Sequence, residues 1–560
     1  MASFSLLPTE LVECIVSYLP QHDIYAVCRL NKALSNLATP FLYRHVDLFI
    51  PPESKLPRID RFCLNIINDN RKANNVESIR LGLSPSRNVR QGQRWLPPDK
   101  NFDDQLMFRK AMTALSDETL VAAGDYLRDA ISMREYSAYA ALILLVLPTL
   151  RRLDVADYKS ATFDHLHNIL RNLDPGTVWN RRYPSRVLLD RLSSIKQVSL
   201  MFDRITGVAY PGDNNREPLD HFLNIPSIEI LELFSVGGRQ NQDPIAAHLT
   251  YPLVRHLRAT NITALVFRQS GAFTSALHSL LQCTPKLRSL TYDFFFHSPL
   301  PSNYRGHLLM LDAWNEYLRP LAPTLEVLVF SAEYCDTSAY FFAQPHIGEK
   351  LHGYLDLTPF TALHTLEVPF PFLTGDVDFS ITKEIHPLFP PNLRHLTLRP
   401  DLSHAHLPFP FDSSILTQGL TFAESKLEAQ YLMNARMDVS YMFQASLTLL
   451  DFANPTTLES ISVWQPADAS LEWFDGQIKD FSTTCRNKGI TGRILEPMLL
   501  RWKKAEHWDL IKEVTVFERK EPGWGCVERF WRGEWEGRPV GLGLQFHLEA
   551  LEKGRVRLGR

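Results

Sequence analysis

The fold is decided by residues 5–48, which read SLLPTELVECIVSYLPQHDIYAVCRLNKALSNLATPFLYRHVDL. Apolar residues recur in this stretch at helical spacing, and prolines at positions 8, 20 and 40 punctuate them. Pro8 suits the first position of a helix, because the N–H that proline lacks has no intrahelical partner there. Pro20 ends that helix, because the residue before a proline is pushed out of the helical region. The stretch therefore predicts three short helices in succession.

The first predicted helix is apolar on two sides. Its apolar residues form two adjacent stripes: Leu11, Ile15 and Tyr18, and beside them Val12, Val16 and Leu19. Such an arc is wider than a helix needs for a single neighbour. Roughly forty residues of helix also make too small a core to be stable alone. The helix therefore needs a second neighbour, which is either the rest of this chain or another protein.

Two more helices are expected to follow. Asp23 is a suitable N-cap for the second helix, and Ile24 and Val27 would then face inward. Asn31 is a suitable N-cap for the third helix, which is expected to end at the Thr39–Pro40 step. Together the three helices predict a compact N-terminal module.

Residues 6–46 resemble an F-box, the module by which substrate receptors dock on the Skp-type adaptor of cullin–RING ubiquitin ligases. The resemblance rests on these positions: Leu7–Pro8, Glu10–Leu11, Ile15, Tyr18–Leu19–Pro20, Asp23 and the LATPFLYRHV segment at 37–46. One departure lies near the end of the third helix, where many members carry tryptophan and this chain has Phe41 and Tyr43. The resemblance implies that adaptor docking is carried by Leu7, Pro8, Leu11, Ile15 and Leu19, with Ile24 and Val27 in support.

Composition limits the class of protein. The chain has 59 basic and 62 acidic residues, so no strong net field favours nucleic acid or an anionic membrane, and neither partner is expected. The most apolar run, AYAALILLVL at 138–147, is too short to span a bilayer and predicts a buried helix. Seven scattered cysteines, never spaced as CxxC, favour reduced thiols. We therefore expect an intracellular protein of the cytoplasm, the nucleus or both.

A short phrase recurs along the rest of the chain: an apolar residue, two variable ones, a second apolar residue, one variable residue and a third apolar residue. Its ten copies begin at Val76, Leu150, Ile195, Ile228, Val254, Leu287, Leu325, Leu363, Leu393 and Leu458. The last two apolar positions are two residues apart, so they point to one face of a short strand. Helical segments precede several copies, at 138–147, 276–283 and 307–318. Helix and strand in alternation predict a parallel stack.

This phrase resembles that of irregular leucine-rich repeats. The resemblance implies an α/β fold: an N-terminal three-helix F-box followed by an irregular leucine-rich-repeat solenoid, with parallel strands and helices on the convex side. A doubly wound α/β domain is the alternative, because it also alternates helix and strand. The expected domains are 1–50 (F-box), 51–75 (linker or first irregular unit), 76–489 (solenoid) and 490–560 (a tryptophan-rich C-terminal cap).

No catalytic motif stands out, and we expect neither an enzyme, nor a cofactor, nor a metal. The GLGLQF segment at 541–546 lacks the third glycine of a dinucleotide loop. Two HxH pairs, His165/His167 and His404/His406, have no cysteine at ligand spacing. An enzyme that uses the 490–560 region stays open as a third class of function.

Aromatic residues near strand ends are the candidate contacts for a protein target. The candidates are Phe294, Phe295, Phe296, Phe370, Phe372 and Trp464, and two long insertions at 203–222 and 401–414 are candidate loops. The alternative is that these rings pack in the core of the stack. If the family resemblance holds, the chain is a substrate-recognition subunit of an SCF-type ligase, linked through the adaptor to cullin. A repeat scaffold that binds the adaptor or another partner without promoting ubiquitination is the alternative.

Overall fold

The computed structural model describes a defined part of the chain. The described residues are 7–19, 21–49, 56–82, 96–115, 125, 127–156, 165, 190–203, 222, 225–236, 261–270, 275–297, 309–335, 351–375, 389–401, 442–451, 457–465, 475–497, 510–519 and 527–532. The chain forms two compact units, Met1–Leu233 and Phe234–Arg560. Among the described residues, no helix combines the length and the apolar character that crossing a membrane requires.

The first unit begins with three helices, as the sequence predicts. They are α1 (Thr9–Ser17), α2 (Gln21–Cys28) and α3 (Lys32–Arg44), called the helical module below. A core of Val12, Val16, Ile24 and Ala38 holds them together. Partly buried side chains pack around that core: Leu19, Val27, Cys28, Leu34, Leu37, Phe41 and Leu42.

Three details of the module differ from the sequence prediction. Pro8 precedes α1 instead of occupying its first position, and Asp23 lies in the first turn of α2 instead of capping it. Helix α3 runs through Pro40 to Arg44, although proline there removes a backbone hydrogen bond. Phe41 and Leu42 pack against the module core beyond the proline, and their burial offsets that loss. The predicted cap at Asn31 is confirmed, since its side chain accepts a 2.8 Å hydrogen bond from the backbone N–H of Leu34.

The chain leaves the helical module as a strand. Strand β1 (His45–Asp47) pairs in parallel with β2 (Ser78–Gly82). Between them lie α4 (Ile59–Asn68) and α5 (Asn70–Asn74), whose buried face includes Ile59, Cys63 and Ile66. Residues 51–75 were predicted to be a linker or a first irregular unit. Their described part forms two packed helices.

The rest of the first unit alternates helices with strands. Its helices are α6 (Asp104–Ala114), α7 (Arg128–Ser132) and α8 (Tyr136–Val146), and its strands are β3 (Arg152–Ala156), β4 (Gln197–Asp203) and β5 (Ile230–Val236), which crosses the unit boundary. Strands β1 to β5 lie side by side in chain order. Every residue of α8 is buried, as predicted for the apolar run at 138–147.

The second unit carries a large sheet. Its elements in chain order are β6 (Ala264–Ser270), α9 (Ser275–Gln282), β7 (Ser289–His297), β8 (Leu309–Met310), α10 (Leu311–Leu318), a 3₁₀ turn (Arg319–Leu321), β9 (Val327–Cys335), β10 (Leu351–His352), β11 (Thr365–Pro369), α11 (Phe370–Thr374), β12 (His395–Arg399), a helix at 442–451, β13 (Ser460–Trp464), α12 (Asp475–Lys488), β14 (Thr491–Pro497), β15 (Leu510–Phe517) and β16 (Val527–Arg532). The main sheet has the order β6-β7-β9-β11-β12-β13-β14-β15-β16, and β8 pairs with β10 separately.

The recurring apolar phrase falls on consecutive parallel strands. The second apolar residues of successive copies pair directly in register, as Leu290, Leu328, Leu366, Leu396 and Ile461 do in the second unit. The side chains of all five are buried. The periodicity therefore predicted both the strands and their inward face correctly.

Two copies of the phrase, at 254–259 and at Ile262, differ from the rest. The copy at 254–259 lies outside the described residues. An additional, unpredicted copy begins at Ile262 and continues with Leu265 and Phe267, all buried on or beside β6. It begins only eight residues after the copy at Val254, and that close spacing concealed it.

The C-terminal region extends the sheet. Strand β14 pairs in parallel with β13, and β15 and β16 continue the sheet with antiparallel pairing. Trp502, Trp508, Trp524 and Trp535 of the predicted aromatic cap lie outside the described residues. The chain is thus a mixed α/β protein with an N-terminal helical module and a large, mainly parallel sheet.

Candidate docking site on the first helix

Helix α1 and the residue pair before it present a row of exposed apolar side chains. Leu7, Leu11, Ile15 and Tyr18 are 39%, 51%, 40% and 84% exposed. Leu11, Ile15 and Tyr18 are spaced three or four residues apart and so lie along one side of the helix, and Leu7 lies in the segment just before it. Pro8 is exposed as well. We call Leu7, Pro8, Leu11, Ile15 and Tyr18 the α1 face.

The α1 face is apolar without serving the module's own core. The adjacent stripe forms the core, since Val12 and Val16 are buried against α2 and α3. Among the described residues, the helix uses one stripe for its own bundle and leaves the other at the surface. An exposed apolar row of this kind marks an interaction site on many proteins.

Three of the predicted docking residues lie inside the module instead. Ile24 is buried in its core, and Leu19 and Val27 are partly buried against that core. Their side chains face inward because the module is so small that nearly every inward apolar group is needed to hold three helices together. They support the shape of the site and contribute little accessible surface to it.

Other exposed side chains were missed as candidates. Tyr18 belongs to the same apolar stripe as Leu11 and Ile15, but it was not among the residues predicted to dock on the adaptor. Tyr25 on α2 and Leu30 after it are 55% and 70% exposed. The Arg29 guanidinium lies 5.9 Å from the centre of the Tyr25 ring, within range of a cation–π contact. Periodicity could have found Tyr18, whereas Leu30 lies in a turn and carries no such signal.

Charged side chains border the apolar row. Glu10 and Glu13 are exposed on α1, and His22 Nδ1 lies 3.0 Å from the Asp23 carboxylate on α2. An apolar strip with a polar border can bury a partner's apolar groups while the charges stay in water. This arrangement is suited to protein docking.

Of the five phenylalanines predicted to contact a target, Phe294, Phe370 and Phe372 are buried in a core instead. Phe294 lies 4.5 Å from Tyr292, 5.1 Å from Trp314, 5.6 Å from Phe330 and 5.7 Å from Phe372, measured between ring centres. All five rings are fully buried, and so is Phe370. Strand β7 extends to His297, so Phe294 continues the inward alternation of Leu290 and Tyr292. The side chains of Phe295 and Phe296 lie outside the described part of the structure.

Trp464 is the remaining predicted target contact, and it is also largely buried. Its Nε1 donates a 3.0 Å hydrogen bond to Glu367 Oε1, and the Arg399 guanidinium lies 4.9 Å from the ring centre. Arg399 donates 2.6 Å hydrogen bonds to Glu367 and Asp401. Burial lowers the pKa of Arg399, but these two carboxylates outweigh that effect and the net shift is upward. The ring is held in a charged network with 8% of its surface exposed.

Of the candidate metal ligands, His165 is paired with a carboxylate. His165 Nε2 lies 2.9 Å from Glu135 Oε2, which already occupies that ring nitrogen. His167, His404 and His406 lie outside the described residues, as do most of the 203–222 and 401–414 insertions. Within the described residues, no three His, Cys, Asp or Glu side chains gather as metal ligands would.

Comparison with known proteins identifies the N-terminal module. A family model described as the F-box domain matches residues 4–42, the segment that contains α1, α2 and most of α3. A search of curated proteins found no match for the chain. Residues 4–42 are therefore an F-box domain, and this domain indicates that the chain binds the adaptor of an SCF ubiquitin ligase.

Proposed function

We propose that this protein is a substrate-recognition subunit of an SCF-type cullin–RING ubiquitin ligase. Its F-box docks on the Skp-type adaptor through the α1 face, and through the adaptor it joins cullin. The observation that carries the proposal is the row of Leu7, Leu11, Ile15 and Tyr18, which is exposed although the same helix buries its adjacent stripe.

Burial of this row supplies part of the driving force for docking. A Leu, Ile or Tyr side chain gains roughly 1.5–3 kcal/mol when it goes from full exposure to full burial. Leu7, Leu11 and Ile15 are each about half exposed, so each has about half of that gain left to contribute. The sum must also offset the lost rotational and translational freedom of the partners. The α1 face is therefore one part of a larger interface.

The remainder of the chain is proposed to be an irregular leucine-rich-repeat solenoid that holds a protein target. This proposal is supported by a pattern of backbone hydrogen bonds that recurs from copy to copy of the phrase. The carbonyl of Glu326 accepts hydrogen bonds from His364 N–H at 3.0 Å and Thr365 N–H at 3.2 Å. The same pair of bonds recurs at other copies, with these acceptors: Glu77, Arg151, Lys196, Thr263, Arg288, His364 and Arg394. A repeated backbone unit beneath a repeated sequence phrase is what stacked repeats require.

The protein's proposed role is positional and not catalytic. The adaptor would hold one end of the chain, and the repeat domain would hold an intracellular protein near the ubiquitin-charged enzyme. Holding two reactants in one assembly raises their effective concentration without any new chemical group. The buried Phe294, Phe370 and Phe372 are not part of the proposed target surface, because they have no accessible area.

The test is a pair of matched substitutions. Leu11→Asp places a charge in the α1 face, whereas Leu106→Asp does the same on α6, where the leucine is 44% exposed. Purified full-length chains are titrated with the Skp-type adaptor by calorimetry. We expect Leu11→Asp to weaken binding at least about a hundredfold, because a buried unpaired carboxylate adds to the lost apolar contact. Leu106→Asp is expected to bind as the wild type does.

Equal binding by both variants and the wild type would reject the proposed docking face. A pull-down of the full-length chain from cells separates the ligase from the scaffold. Cullin in the complex, together with a cellular protein whose lifetime lengthens when Leu11→Asp replaces the wild-type chain, supports the ligase. An adaptor complex without any such protein would favour the scaffold.

A further inference from the structure

The F-box is tied to the sheet of the first unit before the segment predicted as a linker begins. Strand β1 follows α3 directly and pairs with β2, so His45, Val46 and Asp47 lie opposite Ser78, Ile79 and Arg80. The first described residue after the 50–55 gap is Leu56. The helical module is therefore connected to the sheet by a paired strand. The position of the module against the sheet is set by this pairing, before residues 51–75 are reached.

Several polar contacts reinforce this strand pair at its amino end. Arg44 Nε donates a 2.9 Å hydrogen bond to Glu77 Oε2, and the Glu77 N–H donates to the Arg44 carbonyl at 3.0 Å. His45 Nδ1 lies 2.8 Å from Ser78 Oγ. Gln21 Nε2 at the start of α2 donates to the carbonyl of His45 at 3.3 Å, which ties α2 to the exit strand.

At the carboxyl end of the β1–β2 pair, the buried hydroxyl of Tyr136 bonds to both chain segments. Tyr136, at the start of α8, donates a 2.8 Å hydrogen bond to the Leu48 carbonyl just after β1. The same oxygen accepts a 3.2 Å hydrogen bond from the N–H of Gly82, the last residue of β2. Tyr136 is fully buried, and burial raises the pKa of its hydroxyl, which therefore stays protonated and available as a donor. The hydroxyl thus bridges the ends of two strands, one from the F-box exit and one from the sheet.

We propose that Tyr136 is a positioning residue, which locks the F-box exit strand to the sheet so that the first unit moves as one rigid body with the adaptor. The inference rests on the proposed function, because a fixed geometry matters only if the chain must present a target. A hinge at this joint would let the sheet of the first unit sample many positions relative to the adaptor. The lock restricts the sheet to one position relative to the adaptor. The lysines that accept ubiquitin then stay at a constant distance from the ubiquitin-charged enzyme.

Two conservative substitutions test the lock. Tyr136→Phe keeps the ring but leaves the Leu48 carbonyl and the Gly82 N–H without this partner. Tyr139→Phe is the matched control: it removes a buried hydroxyl from the same helix, but that hydroxyl bonds to Asp104, away from the joint. Hydrogen–deuterium exchange of the full-length chain is followed for residues 45–49 and for α1 to α3.

The expected result is local. Tyr136→Phe should speed exchange in residues 45–49 about tenfold, since one hydrogen bond to a buried group is lost on each strand. Exchange in α1 to α3 and the affinity for the adaptor should stay unchanged. Tyr139→Phe should leave exchange at 45–49 within about twofold of the wild type. Unchanged exchange at 45–49 in Tyr136→Phe, or an equal rise in both variants, would overturn the inference.

A functional readout separates positioning from simple stability. In a ligase reconstituted with adaptor, cullin and RING subunits, the probe is the pattern of ubiquitin on this chain's own lysines, read by mass spectrometry. Insertion of Gly-Ser-Gly-Ser between Arg44 and His45 should broaden that pattern, as Tyr136→Phe should. The same insertion between Pro52 and Glu53 should not broaden it, because the joint lies upstream.

Equal broadening by both insertions would contradict the lock. Failure of the wild-type chain to bind the adaptor would instead overturn the proposed function. The exchange measurement needs no adaptor, so it still decides in that case whether the joint is locked.

Discussion

Ile15 and Val16 are neighbours in the sequence but have opposite environments. Val16 is fully buried in the core of the helical module, whereas Ile15 is 40% exposed. The sequence shows that both flanks of α1 are apolar, but it does not show which flank the module keeps for itself. That choice depends on where Ala38 of α3 comes close to the helix, and a tertiary contact of this kind leaves no periodic signal.

Phe294 illustrates how a residue can be misassigned at the end of a strand. Three consecutive phenylalanines after an apolar phrase suggested an exposed aromatic loop. The strand continues instead, so Phe294 keeps the inward side and packs with Trp314. Strand length is set by the hydrogen bonds that β9 provides as far as Cys335, which the local sequence does not encode.

Asp154 on β3 supports a prediction about pH. Burial raises the pKa of its carboxyl to about 6, although Arg152 Nε lies 2.9 Å from it and favours the charged form. The unfolded chain has the usual pKa of 3.8, so between these values the native state binds the extra proton. Through this group, the free energy of unfolding therefore falls as the pH rises from about 4 to 6.

Asp154→Asn removes that dependence. Relative to the wild type, the variant's free energy of unfolding should rise by about 1–3 kcal/mol between pH 4.5 and pH 7. Urea denaturation at the two pH values measures it, and Asp125→Asn, at an exposed carboxylate, is the control. A constant difference between Asp154→Asn and wild type at both pH values would contradict the environment assigned to Asp154.

At the scale of elements, the repeated phrase is the part of the fold that the sequence predicts best. Strand position, inward face and parallel order all follow from the spacing of residues such as Leu328, Leu366 and Leu396. The copy at Ile262 was not predicted because it begins only eight residues after the copy at Val254, whereas the predicted copies are 26 or more residues apart. The short pair β8 and β10 has only two residues a strand and gives no periodic signal.

Helix α3 supports a prediction at this scale. It continues through Pro40, which has no N–H to donate to the carbonyl of Asn36, four residues earlier. Pro40 is exposed, and Pro40→Ala should restore that bond without altering the core. We expect the free energy of unfolding to rise by about 1–2 kcal/mol, since the gain in helix propensity is partly offset by a more flexible unfolded chain.

Chemical denaturation of the full-length chain measures this change, and Asn31→Ala is the contrasting variant. Asn31→Ala removes the cap of the same helix and should lower the free energy of unfolding by about 1 kcal/mol. Destabilisation by Pro40→Ala would contradict this prediction and show that Pro40 stabilises the native helix.

At the scale of the molecule, a docking helix is joined to a stack of strands. In the first unit the two are continuous, because the F-box exit strand is the first strand of the sheet. The sequence predicted the F-box and the strands as separate domains, with a boundary near residue 50. It gave no sign of the β1–β2 pairing, because β1 has only three residues and no copy of the phrase.

The most direct test of adaptor docking uses a thiol that the chain already carries. Cys14 is exposed on α1, three residues after Leu11 and four before Tyr18, so it lies within the exposed row. Its alkylation by iodoacetamide is followed by mass spectrometry, with and without saturating adaptor. We predict that the adaptor slows alkylation of Cys14 at least about tenfold, because an interface that excludes water also excludes the reagent. Alkylation of Cys14 at the same rate in both samples would contradict docking through the α1 face.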